Sequence, residues 1–141
     1  YKAFCGHLVV IGKKKEVKVS FKGVVANNEL PTILNQYHYY ILPSKYEGMP
    51  KTLLEAMACS LVCIGTDVKG INEVIEDGVS GFLAKTTDTA DIVDAIARAI
   101  NYSNPNTISQ NARLLIGENF SLDSFQKKEM SIVNDLVGAH D

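Results

Sequence analysis

Short apolar runs alternate with stretches of helical period along this chain, and that alternation restricts the fold more than any other feature. "HLVVIG" is a continuous apolar run ending in glycine, the pattern of a strand buried on both faces. "VKVSFKG" alternates over Val17, Val19 and Phe21 and predicts a second strand ending at Gly23. In "NNELPTILNQY", asparagine precedes Glu29 and Pro31, a helix-start pattern, with Leu30, Ile33, Leu34 and Tyr37 on one side. "YYILPS" predicts a third strand stopped by Pro43, followed by a helix over "KTLLEAMACS" and a strand over "LVCIGT". "INEVIE" predicts a short helix closed by "DGVSG", and "GFLA" a last strand. "TADIVDAIARAI" is an amphipathic helix, and a polar loop, "NYSNPNT", leads to two more helical stretches, "ISQNARLLIGENF" and "LDSFQKKEMSIVNDLV".

Strands that alternate with helices and are too short and apolar for an open face predict an α/β fold, a doubly wound parallel sheet. At 141 residues the chain suits one domain. One connection conflicts with this scheme. "KKKEV", between the first two strand runs, is too short for the crossover that parallel neighbours need, so either the two pair differently or residues of the natural protein are missing there.

In doubly wound sheets ligands bind beyond the carboxyl ends of the strands, and the segment "EGMPKTLLEAMA" (47–58) follows the third strand at that edge. Pro50, with fixed φ and no N–H, suits the first helical position, so the helix begins near Gly48 to Pro50. The free N–H groups of its first turn carry partial positive charge and suit a phosphate, and Gly48 lets a ligand approach the backbone. Glu55 lies roughly 7.5 Å further along the axis, at ~1.5 Å per residue, with its side chain tilted back towards the ligand end. Like charge excludes a phosphate partner for it, whereas its two acceptor oxygens suit a vicinal diol such as a ribose. Glu47, before the helix, faces whatever lies beyond the phosphate. Residue types alone leave two readings open: a grip on a nucleotide-sugar, or ordinary helix entry with Glu47 favouring the dipole and Glu55 exposed.

Composition narrows the alternatives. A net charge of −2 gives no footprint for nucleic acid, and Lys13-Lys14-Lys15 is the one basic cluster, read as a solvated turn. The chain shows no run of ~20 apolar residues and no cleavable leader, and sparse cysteines that suit a reducing compartment predict a cytoplasmic protein. Cys5, Cys59 and Cys63 fit neither a disulfide framework nor a zinc site and are read as buried free thiols. His7, His38 and His140 are scattered, with His38 structural. Asp67, Glu73, Glu76 and Asp77 are read as exposed acids at turns and not as a metal site. A glycosidase would also use two carboxylates, but the phosphate-suited helix end and the parallel α/β pattern argue against it.

The run "PSKYEGMPKTLLEAMACSLVCIGTDVKGINEVIEDGVSGFL" resembles the E-x7-E region of the family 4 glycosyltransferases, enzymes of the GT-B fold. Glu47 and Glu55 have that spacing, and "PS", "EG.P", "LLEAMA" and "EVIEDG..GFL" occur in the family's order. The likeness extends from about Val17 to the C-terminus, with "VKVSFKGVVANNEL" matching the preceding strand and helix. The resemblance implies a single nucleotide-sugar-binding domain over residues 1–141, the Rossmann-like C-terminal half of a two-domain enzyme. It implies that Glu55 binds the ribose hydroxyls and that Glu47, the catalytic candidate, contacts the transferred sugar. It likewise implies that the backbones of Gly48 and Met49 hold sugar and phosphates, that Thr52 lies close to the diphosphate, and that Gly23 and Val24 match the loop contacting the nucleobase.

The implied activity is retaining transfer from a nucleotide-sugar, UDP-sugar on family frequency, to a glycan or lipid-linked acceptor in surface polysaccharide biosynthesis. Transfer is expected to be metal-independent, with no cofactor, since the nucleotide-sugar is a substrate. The implied partners are the N-terminal acceptor domain of the same enzyme and, through that half, the inner face of the membrane; nucleic acid is not among them. The isolated chain is expected to fold but to transfer no sugar. A binding module without transfer, or a GT-B epimerase relative, is the alternative, and the E-x7-E pair favours the transferase. Three departures from the family pattern stand out: the Arg and Lys that neutralise the diphosphate have no match, and the family's glycine and proline after the cysteine are Ser60 and Leu61. The last two concern the turn between helix and strand, where altered packing is expected without altered chemistry.

Overall fold

A computed structural model of the chain describes residues 3–9, 18–121, 123, 124, 126, 130 and 131. The chain divides into two compact units, Tyr1–Gln36 and Tyr37–Asp141.

In the first unit, β1 (Ala3–Val9) and β2 (Lys18–Val25) form a two-stranded antiparallel sheet of their own. Of the two readings that the short connection left open, the strands follow the first and pair differently, because only antiparallel neighbours are joined by so few residues. The connection, Lys13-Lys14-Lys15 included, lies outside the described residues. Cys5 pairs with Gly23 and Gly6 with Phe21, which leaves Lys22 as the extra residue of a β-bulge; Gly23 takes a φ of +67° there. β2 therefore runs past Gly23 to Val25. The following helix, α1 (Leu30–Leu34), has Pro31 in its first turn and buries Leu30 and Leu34. It is shorter than expected and stops before Tyr37, since the chain must be extended again by Tyr39.

The second unit holds the parallel sheet. β3 (Tyr39–Leu42), β4 (Val62–Thr66) and β5 (Phe82–Ala84) lie in the order β3-β4-β5, all parallel. β4 is central and buried at every position, which accounts for its unbroken apolar run. Ile41, Val62, Ile64, Phe82 and Ala84 share one face of the sheet. That face is covered by Ile92, Ala95, Ile96 and Ala99 of α3 (Thr89–Ile100) and by Ile108 of α4 (Pro105–Asn119). On the opposite face, Ile71 and Ile75 pack so tightly over Gly65 that a Cβ there would lie 2.5 Å from Ile71 Cγ2. Tyr40, on this second face, reaches Thr52 of α2 (Lys51–Ala58). Helical segments thus cover both faces, as a doubly wound sheet requires.

α2 forms because "KTLLEAMA" is rich in strong helix formers. Leu53, Ala56 and Met57, spaced i, i+3 and i+4, are fully buried. Burial of Leu53 and Met57 stabilises the unit by about 1.5–3 kcal/mol each. The helix ends in a Schellman motif: Ser60 N–H bonds to Met57 O at 2.9 Å and Leu61 N–H to Ala56 O at 3.1 Å, with Ser60 at a φ of +61°. The altered turn expected at Ser60 is thus a serine in the left-handed region.

Two further expectations are corrected. "INEVIE" forms successive turns instead of a helix; Asn72 N–H bonds to Val68 O and Ile75 N–H to Ile71 O, each closing one turn. Its helical spacing serves to bury Ile71, Val74 and Ile75. α4 begins within the expected polar loop, because Pro105 starts the helix without loss of a backbone bond. Most of "LDSFQKKEMSIVNDLV" lies outside the described residues. Among the described residues, no helix is long and apolar enough to cross a membrane.

Candidate functional site

The loop from Pro43 to Pro50 leaves the carboxyl end of β3 beside that of β4, and β4 holds it in place. Thr66, the last residue of β4 and fully buried, donates its hydroxyl to the Ser44 carbonyl. Ser44 Oγ donates in turn to Glu47 Oε1 at 2.7 Å. Just beyond β4, Gly70 has a φ of +87° and sits against the loop's backbone. A Cβ on Gly70 would lie 2.6 Å from the Glu47 carbonyl oxygen and 2.7 Å from that of Gly48.

α2 starts at Lys51, and Pro50 is its buried N-cap and not its first residue as expected. The Pro50 carbonyl accepts from Leu53 N–H at 2.9 Å and Leu54 N–H at 3.1 Å, so the cap position is occupied by a residue with no side-chain acceptor. The helix has no side-chain cap; its Lys51 N–H donates to the Met49 carbonyl at 2.9 Å, and the positive end of its dipole suits an anion. Gly48 is exposed, and a Cβ there would meet no protein atom within 4 Å, so the backbone is open to an approaching group. Met49 beside it is 57% exposed.

Thr52 and Glu55, three residues apart, lie on one side of α2. Thr52 is half-buried, and its Oγ1 accepts from the Tyr40 hydroxyl at 2.7 Å. Having accepted that bond, Thr52 retains its own O–H for donation. Glu55 is also half-buried. Burial pushes its carboxyl above the ordinary value, with Lys51, one turn earlier, pulling it partly back. One face of the helix start therefore offers a hydroxyl and a partly desolvated acid, with Glu47 at the loop before it.

Gly23 and Val24 belong to the first unit and lie within β2, not in a loop after it. The bulge gives Gly23 its left-handed φ and leaves Val24 57% exposed.

Four residues of the second unit's arrangement carry no sequence signal specific enough to assign them beforehand: Tyr40, Ser44, Thr66 and Gly70. Ser44 stands in the "PS" of the motif and Gly70 in a glycine-marked turn, but the bond of Ser44 with Thr66 and the contacts of Gly70 with Glu47 and Gly48 join segments 22 or more residues apart.

Two of the acids at turns have partners elsewhere. Asp67 accepts from Asn72 Nδ2 at 2.8 Å. Asp77 accepts from Leu83 N–H at 2.7 Å and pairs with Arg98 at 3.0 Å. Among the described residues no three of His, Cys, Asp and Glu are grouped to hold a metal. Burial raises the thiol values of Cys59 and Cys63, and Glu55 adds to the effect at Cys59 against Arg113. Neither is the thiolate that nucleophilic chemistry requires.

A family model described as "Glycosyl transferases group 1" matches residues 6–102. UDP-Gal:alpha-D-GlcNAc-diphosphoundecaprenol alpha-1,3-galactosyltransferase of Escherichia coli is 31% identical over 110 residues, which are 78% of this chain and 28% of that protein. The C-terminal domain of LpcC, a glycosyl transferase group 1 family protein of Francisella tularensis, superposes with a TM-score of 0.61 at 26% identity, covering 69% of this chain and 50% of that one. Anabaena HepE, solved with UDP and glucose, shares the fold: TM-score 0.72 at 21% identity, over 82% of this chain and 32% of that one. The fold is that of the GT-B glycosyltransferases. The chain spans less than a third of the E. coli relative's length. The chain belongs to the glycosyl transferase group 1 family.

Proposed function

We propose that this chain binds the nucleotide-sugar donor of a GT-B glycosyltransferase and holds it on the loop and helix from Glu47 to Glu55. The observation that carries the reading is the order of groups along that segment: an acid, an open glycine backbone, an uncapped helix end, a hydroxyl, and a second, half-buried acid. In this reading Glu55 takes the ribose hydroxyls, the helix end and Thr52 take the diphosphate, Gly48 and Met49 offer backbone groups to sugar and phosphate, and Glu47 faces the sugar. Uridine is the base we favour, a choice supported by the UDP-Gal donor in the E. coli relative's name.

Transfer breaks the bond between the sugar's anomeric carbon and the diphosphate oxygen, and UDP leaves with the electron pair. The acceptor hydroxyl forms the new bond with retained configuration and gives up its proton to the departing diphosphate oxygen. The uncapped end of α2 stabilises the charge developing on the diphosphate, without a metal ion or further cofactor. The acceptor is a glycan or lipid-linked hydroxyl, met by an N-terminal domain of the same enzyme, and the reaction belongs to surface polysaccharide synthesis at the cytoplasmic face of the membrane. Because reaction needs both halves, the isolated chain transfers no sugar.

The test is Glu47→Ala in the full-length enzyme. It should lower kcat far more than UDP affinity, because an interaction beyond the phosphates does not hold the nucleotide. Normal kcat with weakened UDP binding would reverse the roles of the two acids.

A further inference from the structure

We propose that Ser44 is a positioning residue for Glu47, acting through a relay that runs from the buried end of β4 to the reacting side of the donor. This rests on the role given to Glu47 above and adds a residue which that reading leaves without a task.

The direction of the Ser44–Glu47 bond is fixed by chemistry. An ionised carboxylate only accepts, so the hydroxyl must donate, and the 2.7 Å separation is that of a short bond to a charged acceptor. The bond engages Oε1 and leaves Oε2 for a further partner. Ser44 itself is not free to drift, because its carbonyl accepts from Thr66, a side chain with no solvent exposure on the central strand. Gly70 closes the other side, its backbone packed against the Glu47 and Gly48 carbonyls. A glutamate on an exposed Gly/Pro loop would otherwise sample several rotamers, and a group that must meet a transition state loses rate when it does. Ser44 restricts that sampling without touching the donor.

The test uses the full-length enzyme, with release of UDP from UDP-glucose, UDP-galactose and UDP-N-acetylglucosamine as the assay. On the sugar turned over fastest, Ser44→Ala should lower kcat roughly tenfold and leave KM within about twofold, tenfold being the scale of one hydrogen bond. Ser44→Thr, which keeps the hydroxyl, should restore most of the rate. Ser44→Ala added to Glu47→Ala should cost nothing further, since a residue acting through Glu47 has no effect once Glu47 is gone. Unchanged kcat in Ser44→Ala, or a further tenfold loss in the double variant, would overturn the proposal. If Glu47→Ala turned over normally, the donor reading would fail first, by its own test. Should none of the three sugars be turned over, crystal structures of the full-length protein decide the matter. Glu47 in a single rotamer in the wild type and in several in Ser44→Ala supports the relay; an unchanged rotamer overturns it.

Discussion

Gly70 and Glu47 are 23 positions apart in the sequence, yet a single methyl group on Gly70 would lie 2.6 Å from the Glu47 carbonyl oxygen. The turn that follows β4 thus shapes the path of the loop that follows β3, and the missing side chain is what permits the approach. Gly70→Ala should displace the loop and cost both the left-handed φ and the clash, about 2–4 kcal/mol together. Gly78→Ala is the control, with a φ of +76° and no atom within 4 Å of the new Cβ. It should cost only about 1–2 kcal/mol. Chemical denaturation of both variants measures the difference, and UDP affinity should fall in the first alone.

Ser60 offers the opposite case. It holds the C′ position of a Schellman motif at a φ of +61°, where a side chain is strained. Both motif bonds use the backbone, so glycine keeps them. Ser60→Gly should raise stability by about 0.5–1 kcal/mol, read as a higher denaturation midpoint at unchanged slope. A lower midpoint would mean the serine side chain earns its place through a contact of its own.

Glu55 should trade stability for binding. Its carboxyl is raised by burial, so the fold favours the protonated form. Its contribution to stability is therefore full below the ordinary carboxylate range and is lost as pH rises through the raised value. Glu55→Gln should make the fold more stable at neutral pH, with the gain vanishing under acid. The same change should weaken UDP binding by about 1.5–3 kcal/mol, the scale of a hydrogen bond to a charged group. Calorimetry with unchanged UDP affinity would remove Glu55 from the ribose. Wild-type affinity should also fall with acid at a pH above the usual carboxylate range.

What the sequence disclosed and what it did not follow from the range of the interactions. "TADIVDAIARAI" marks α3 to the residue, because the stripe read from Ile92, Val93, Ile96, Ala99 and Ile100 repeats with helical period; Val93 and Ile100 are nevertheless exposed, and Ala95 takes the buried place beside Ile92, Ile96 and Ala99. "LVCIGT" marks β4 because a strand covered on both faces needs apolar residues at successive positions. The same period misleads at "INEVIE", where Ile71 and Ile75 are placed by turns that follow a glycine at positive φ. The pairing of β1 with β2 shows only in the brevity of "KKKEV", since alternation does not distinguish parallel from antiparallel neighbours. At the site, Glu47 and Glu55 are readable from spacing within one segment. Ser44 reaches Glu47 within the same loop, but Thr66 and Gly70, which hold that loop, come from the end of β4 and the turn beyond it, and no local pattern encodes that.

The central claim is that the segment from Glu47 to Glu55 receives the nucleotide. Hydrogen exchange of the full-length protein, with and without saturating UDP, tests it most directly, because bound phosphate would shield the first-turn amides of α2. The account predicts slowed exchange in peptides spanning residues 47–55 and none in those of α4. Protection elsewhere, with 47–55 exchanging at the free rate, would contradict it.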